Sequence, residues 1–382
     1  MVWATARVFK PFTAAASSAA SNLTSSAASA SMSTSASSAS SSTYTIRAVA
    51  AFSRALLRYG CRNVAVRGLD RFLSHLHSSE RLSSNRGLLT YCNHISVFDE
   101  PTIWGTLPPS TFLNPRTVRW TLGASDIMFT NPLLSRFFRN GQCIETHRGG
   151  GIHQAAIDES IKKLSGGSWV HLFPEAYVNV STSTRLRRFK WGISRMLLEA
   201  EKLPVVVPIW ITGFDRMMPE PREKPKWLPR FGNHVTINFG EPISEELEPV
   251  VKAIRESGDV APQELLPEAL RYPEALLHGS PDTAKAGVEG DRSISSNVAT
   301  EWNTATLLNL KNTGESRLSL ARSQLAALLR HHLGLVGVEQ RRADGYENPE
   351  EEGTLIHTES LRPATQHNKN VMVDGERKKH GV

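Results

Sequence analysis

The amino-acid sequence predicts an α/β fold: a mixed, largely parallel sheet covered by helices. Three observations predict it. Six short apolar runs of strand length recur between about residues 63 and 244. Helical stretches of about 10 to 15 residues alternate with them, the arrangement that brings successive strands into one sheet. A hydrophobic share of 40% is enough for one sizeable core but below the globular norm, so part of the 382-residue chain is expected to lie outside it.

The elements follow in chain order. Residues 11–43 are almost wholly Ser, Ala and Thr without a charge, and such a stretch buries too little apolar surface to offset its ordering entropy. With Arg7 and Lys10, residues 1–43 are Ser-rich, basic and acid-free, the composition of mitochondrial transit segments. They are read as a disordered targeting segment. Over 44–62 the pattern turns helical, with Ile46, Val49, Ser53, Leu56 and Leu57 on one side and Arg47, Arg54 and Arg58 on another. A basic amphipathic helix of this kind suits an anionic membrane surface, and equally suits packing on the domain that follows.

That domain is expected over 63–256. Its strands are read at 88–92, 118–122, 143–146, 169–173, 205–210 and 235–239, with helices over 151–164, 189–201 and 245–256. An irregular insertion over 257–300 follows, then a helical segment over 301–337 built on the amphipathic stretch 317–335. A charged tail, 338–382, is expected to be disordered.

Charge and composition exclude several classes. Of the 44 basic residues, seven precede Asp70, the first acidic residue, which leaves 37 basic against 37 acidic. The net charge of +7 therefore belongs to the N-terminal stretch, and the neutral remainder carries no footprint for nucleic acid. Cys61, Cys92 and Cys143 are odd in number and widely spaced, which excludes a disulfide framework and a zinc pattern. His147 and His153 find no third metal ligand at workable spacing. No apolar run approaches the ~18 residues of a bilayer span, so any membrane attachment is expected to be peripheral.

The chemistry concentrates in four blocks. In LTYCNHISVFDE an apolar strand ends at His94, five positions before Asp99. Imidazole is the natural base near neutral pH, and a carboxylate on its other nitrogen fixes the tautomer. On one continuous helix these positions point apart, so the pair requires a strand-to-helix turn. Taken alone, the spacing fits a buried His with a helix-capping Asp equally well. Next, IETHRGGG places Arg148 in a Gly-rich turn, where its fork can grip phosphate. Phe173, Pro174 and Glu175 follow a strand. The basic run RLRRFK supplies Arg185, Arg187, Arg188 and Lys190.

In this order and spacing the blocks resemble those of the glycerolipid acyltransferase superfamily. The segments NHISVFDEPTIWG, RWTLGASDIMFT, WVHLFPEAYVN, LRRFKWGISR and PRFGNHVTINFGEPI resemble, within it, the phospholipid–lysophospholipid transacylases. The resemblance implies the superfamily's fold and acyl transfer from a phospholipid to a lysophospholipid, notably monolysocardiolipin. No cofactor or metal is called for. It implies His94 as base and Asp99 as its orienting partner. Arg148 would hold a lipid phosphate, and Glu175 would position the glycerol or the arginine. Arg185, Arg187, Arg188 and Lys190 would bind the headgroup, and backbone amides near Asn93 or Glu175 would face the oxyanion. The implied partners are the lipid substrates and an anionic membrane surface, with a homo-oligomer left open and nucleic acid excluded. The implied location is peripheral, on the inner or outer mitochondrial membrane facing the intermembrane space.

Two departures stand out. Ala176 replaces the glycine that usually follows the Phe-Pro-Glu block, and Tyr177 stands where a Lys or similar polar residue is usual. An alanine there is strained if the turn needs a left-handed backbone. Two other readings stay open: an acyl-CoA-dependent lysophospholipid acyltransferase, and a catalytically weak membrane-binding protein that organises lipid.

Overall fold

Seven strands form one sheet in the computed structural model, which describes residues 29–179, 186–219, 225, 228–271, 314–346 and 349–350. They are β1 (Cys61–Arg67), β2 (Leu88–Cys92), β3 (Arg119–Ala124), β4 (Cys143–Thr146), β5 (Trp169–Leu172), β6 (Val205–Thr212) and β7 (Asn233–Phe239). Their order across the sheet is β1-β7-β6-β2-β5-β3-β4. Every neighbouring pair is parallel except β6 with β7. The carboxyl ends of β2, β3, β4, β5 and β6 therefore share one edge, where loops gather on such sheets.

The mixed, largely parallel sheet is the one expected, and its six expected strands lie where the apolar runs are. β1 is an addition. Residues 61–62 are expected at the end of the basic helix and 63–67 have no element assigned, since Cys61–Arg67 offers no continuous apolar run and is only partly buried.

The helices are α1 (Ser29–Ala55), α2 (Leu69–Leu76), α3 (Ser79–Ser83), α4 (Asp99–Trp104), α5 (Ser125–Met128), α6 (Pro132–Asn140), α7 (Ala155–Ser165), α8 (Gly192–Glu199), α9 (Phe214–Met217), α10 (Ser244–Ser257) and α11 (Gly314–Ala343). α1 starts inside the stretch expected to be disordered and ends at Ala55, continuing as a wide π turn over Leu56–Gly60. Alanine is the best helix former and serine a middling one, so a helix anchored by packing at one end can extend through a Ser/Ala run. That anchor is visible: Ile46, Ala50, Leu56 and Leu57 are buried against the domain, and Ser42 Oγ donates to the Asn140 carbonyl at 2.8 Å. The Arg54 guanidinium turns inward to the Leu107 carbonyl. Residues 1–28 of the expected targeting segment, 272–300 of the expected insertion, residues 301–313 and residues 351–382 of the expected tail lie outside the described residues.

The sheet separates two cores. On one face Leu88, Cys92, Trp169, Val207, Ile209 and Phe239 pack with α1, α2 and α4. On the other, Leu89, Tyr91, Val170, Val206 and Trp210 pack with α8, α10 and α11. α11 runs to Ala343, beyond the expected limit at 337. It is a core element: Ala321, Leu325, Leu329 and Leu333 are buried, each leucine worth about 1.5–3 kcal/mol. Polar contacts fix its register. Tyr91 Oη donates to the Leu329 carbonyl at 2.9 Å, Ser194 Oγ to the Arg322 carbonyl at 2.7 Å, and Gln324 exchanges two hydrogen bonds with the Ala261 backbone.

Inside the first core, Trp169 Nε1 donates to Thr90 Oγ1 at 2.8 Å, leaving the hydroxyl proton for His171 Nδ1 at 2.8 Å. His171 is fully buried, and burial holds its imidazole well below its ordinary pKa. Folded, it stays neutral, while the unfolded residue protonates near pH 6.5. Its contribution is therefore intact above about pH 6.5 and is lost as pH falls, by up to about 1.4 kcal/mol per pH unit. The stability difference between wild type and His171→Leu, from urea unfolding, is expected to shrink between pH ~7 and ~5.5. A difference independent of pH would contradict a neutral buried His171.

Candidate active site

His94 lies just past the end of β2, at the shared carboxyl edge. The chain leaves the strand there because the Asn93 side chain occupies the next rung of the ladder. Its Nδ2 donates to the Ile211 carbonyl and its Oδ1 accepts from the Ile211 amide, both at 2.9 Å. This pins the strand end to β6 and turns the next residue out. Asn93 was not singled out as a positioning residue, although a buried polar side chain ending an apolar strand is a readable signal.

Asp99 is the first residue of α4 and fully buried. Its Oδ2 lies 2.9 Å from His94 Nδ1 and accepts from the amides of Ile95 at 2.6 Å and Ser96 at 2.8 Å. Burial pushes the carboxyl up, while the bonds from His94, Ser96 and Ile95 pull the other way. The strand-to-helix turn demanded by the spacing is present. Because the carboxylate can only accept, His94 carries its proton on Nδ1 and holds its lone pair on Nε2. Phe173 stacks on the imidazole, centroids 4.3 Å apart at 23°, and meets His171 edge-on at 4.9 Å. The ring is thus held at one edge and one face. An imidazole so oriented can accept a proton at Nε2 and be stabilised as imidazolium.

Glu175 departs from expectation. It is 2% exposed, and both oxygens are committed to the protein. Oε1 accepts from the His94 amide at 3.0 Å; Oε2 accepts from the Arg187 amide at 2.9 Å and Asn179 Nδ2 at 3.4 Å. The Asn179 amide donates in turn to the His94 carbonyl at 2.6 Å. Glu175 therefore braces the His94 loop against the segment beginning at 186, and leaves no open face for glycerol. Burial raises its pKa, opposed by the bonds from Arg187 and His94. The amides of His94 and Ala176 are likewise unavailable as oxyanion donors, since they donate to Glu175 and to the Phe173 carbonyl.

Ala176 has a φ of 62°, so the turn does use the left-handed backbone for which glycine is usual. The strain costs about 1–2 kcal/mol, and a glycine returns about 0.4–1 kcal/mol of that through a looser unfolded chain. Ala176→Gly is accordingly expected to stabilise the protein by about 0.5–1 kcal/mol, measured by urea unfolding. A destabilised variant would mean that the alanine methyl has packing that outweighs the strain.

Tyr177 explains its own presence. The Arg148 guanidinium lies over its ring, 5.1 Å from the centroid, a contact a lysine would replace with repulsion. Arg148 Nη1 also lies 3.4 Å from Asp126 Oδ2, at the start of α5. Gly149 and Gly151 take φ of 78° and 74°, and an added Cβ would meet nothing within 4 Å at either, so the turn is open around Arg148. The loop after β5 thus touches both of the others: Glu175 accepts from the His94 amide, and Tyr177 lies under the Arg148 guanidinium.

The basic run is dispersed. Phe189 is buried, the Arg187 amide serves Glu175, and Arg188 Nη2 lies 3.3 Å from Ser323 Oγ of α11. The Lys190 side chain is exposed while its amide donates to the Pro174 carbonyl at 2.9 Å. Arg185 lies outside the described residues. Cys92 is buried, and its thiol is held well above its ordinary pKa by burial, which suits core packing. His147 Nδ1 contacts Ser125 Oγ at 2.9 Å. Among the described residues no group of three metal-ligating side chains occurs.

Residues 74–212 match the family model described as Acyltransferase, a span that contains His94, Asp99, Arg148 and Glu175. The N-acylphosphatidylethanolamine synthase of Arabidopsis thaliana is 36% identical over 220 residues, 57% of this chain and 76% of that protein. The chain belongs to the acyltransferase family. This acyltransferase is also 36% identical to the Tafazzin of Saccharomyces cerevisiae over 230 residues, 50% of this chain; the match spans 60% of the yeast protein. Among solved structures, the 1-acyl-sn-glycerophosphate acyltransferase from Thermotoga maritima covers 56% of this chain and 78% of its own, with 19% identity and a TM-score of 0.38.

Proposed function

We propose that this acyltransferase is a CoA-independent phospholipid–lysophospholipid transacylase, with monolysocardiolipin as acceptor in cardiolipin remodelling. The observation that carries the reading is the His94–Asp99 pair, whose geometry leaves a lone pair on Nε2. The likeness to yeast Tafazzin supports the choice of reaction.

His94 Nε2 takes the proton of the acceptor hydroxyl as its oxygen attacks the donor ester carbonyl. Asp99 balances the imidazolium. Collapse of the tetrahedral oxyanion expels the glycerol oxygen of the donor, which recovers the proton from His94. One ester forms and one breaks, so an ester donor suffices. Arg148, in its open turn beside Tyr177, holds a lipid phosphate; the exposed Lys190, with Arg185, adds to headgroup binding. Glu175 keeps the His94 loop in place. No helix among the described residues is long and apolar enough to cross a membrane, and the enzyme works from the surface of a mitochondrial membrane.

A second reading follows from the Arabidopsis relative, whose name describes N-acylation of phosphatidylethanolamine. The same base would then serve an amine acceptor. Offering a labelled phospholipid donor with both monolysocardiolipin and phosphatidylethanolamine separates the two. An alkali-labile label on cardiolipin is the expected product. An alkali-stable label on phosphatidylethanolamine would replace the first reading with the second.

A further inference from the structure

α6 (sequence PLLSRFFRN) is amphipathic, yet none of its nine residues is buried. Leu133 is 63% exposed, and Phe137 is exposed beside it. Arg136 and Arg139 lie among these apolar side chains, with Arg139 reaching Glu145 at 2.8 Å and the Phe129 ring at 5.5 Å. A cavity of about 730 Å³ adjoins the helix, lined by Phe129, Asn131, Ser135, Arg136 and Arg139 among others. The helix begins six residues after Asp126, the partner of Arg148, so its first turn lies at the carboxyl edge that carries the candidate site.

α1 lies alongside, joined through Ser42 and Asn140. Its solvent side carries Tyr44, Arg47 and Phe52, with Tyr59 in the π turn that follows. No acidic residue occurs from 29 to 60 or from 127 to 144, so neither helix contributes a carboxylate. Large apolar side chains left in water and interleaved with arginine, on helices that carry no acid of their own, complement an anionic lipid surface: apolar groups enter the acyl boundary, and Arg136, which unlike Arg139 is not paired with Glu145, meets phosphate.

We propose that α6, with the outer side of α1, is the surface on which this protein docks to an anionic phospholipid bilayer. Arg136 receives a lipid phosphate at the cavity beside α6. The inference rests on the lipid-acyltransferase reading and gives that site its orientation, with the carboxyl edge of the sheet turned to the membrane from which both lipids come. The helix expected to meet the membrane, 44–62, spends its apolar side on the domain, and only its opposite side remains for lipid.

The test uses the full chain and co-sedimentation with phosphatidylcholine vesicles, with and without phosphatidylserine. Wild type is expected to partition preferentially to the anionic vesicles. Leu133→Asp is expected to weaken partitioning to them by about tenfold or more, and Arg136→Gln by about fivefold. Both variants are expected to retain wild-type urea midpoints and wild-type transfer between short-chain phospholipids dispersed as monomers. Wild-type partitioning by both variants would overturn the proposal. Loss of the Leu133→Asp fold leaves the decision to Arg136→Gln, for which unchanged binding to anionic vesicles is the contrary result. Absence of short-chain transfer in wild type would instead sink the enzymatic reading, while the vesicle measurement still decides the docking surface.

Discussion

His94→Ala is expected to lower acyl transfer by about 10²–10⁴-fold, the usual contribution of a positioned general base. The proton of the acceptor hydroxyl would then have only water to receive it. Asp99→Asn is expected to lower transfer by less than His94→Ala does, with little change in KM. The asparagine oxygen would keep the place of Oδ2, because the Ile95 and Ser96 amides donate there, so Nδ1–H stays paired while the imidazolium loses its negative partner. The 2.9 Å contact and the two amides on the same Asp99 oxygen make this a loss of charge in a retained geometry. Circular dichroism and urea unfolding identify any variant that fails by unfolding. Transfer by a folded His94→Ala protein at the wild-type rate would remove His94 from the reaction.

Glu175→Gln is expected to destabilise the protein by about 1–3 kcal/mol, because one end of the amide would present N–H to N–H and leave a buried donor unpaired. Which donor is orphaned, His94 or Arg187, depends on the amide's orientation, and either loosens the brace. A displaced His94 lowers kcat by about tenfold or more, since misplacement of around 1 Å can cost more than that. KM is expected to change little. This separates a positioning role from a substrate contact, for which KM would rise and the urea midpoint would stay put. Asn179→Ala, which removes the side-chain contact to Glu175 and keeps the backbone bond to the His94 carbonyl, is the milder companion.

Much of the sheet was legible because buried parallel strands are continuous apolar runs: 88–92 and 143–146 coincide with β2 and β4. β1 was hidden by its partial burial, and the N-terminal limit of α1 by a composition that gives helix and coil similar claims. The pairing of His94 with Asp99 was readable from spacing plus the requirement for a turn. The role of Glu175 was not, because a motif names a carboxylate without saying whether its oxygens face ligand or backbone. The strain at Ala176 could be foreseen from the missing glycine; the Tyr177–Arg148 contact could not, since it joins loops 29 positions apart. α6 escaped notice for the opposite reason. Its periodicity is that of a core helix, and only the structure leaves its apolar side in water.

The central claim is that one ester is exchanged for another through His94 without an activated donor. Purified protein given acyl-labelled phosphatidylcholine and monolysocardiolipin, with no CoA or acyl-CoA present, tests it most directly. Labelled cardiolipin and an equal amount of lysophosphatidylcholine are expected from the wild type, and neither from folded His94→Ala. Label that moves only after acyl-CoA is supplied would contradict the account.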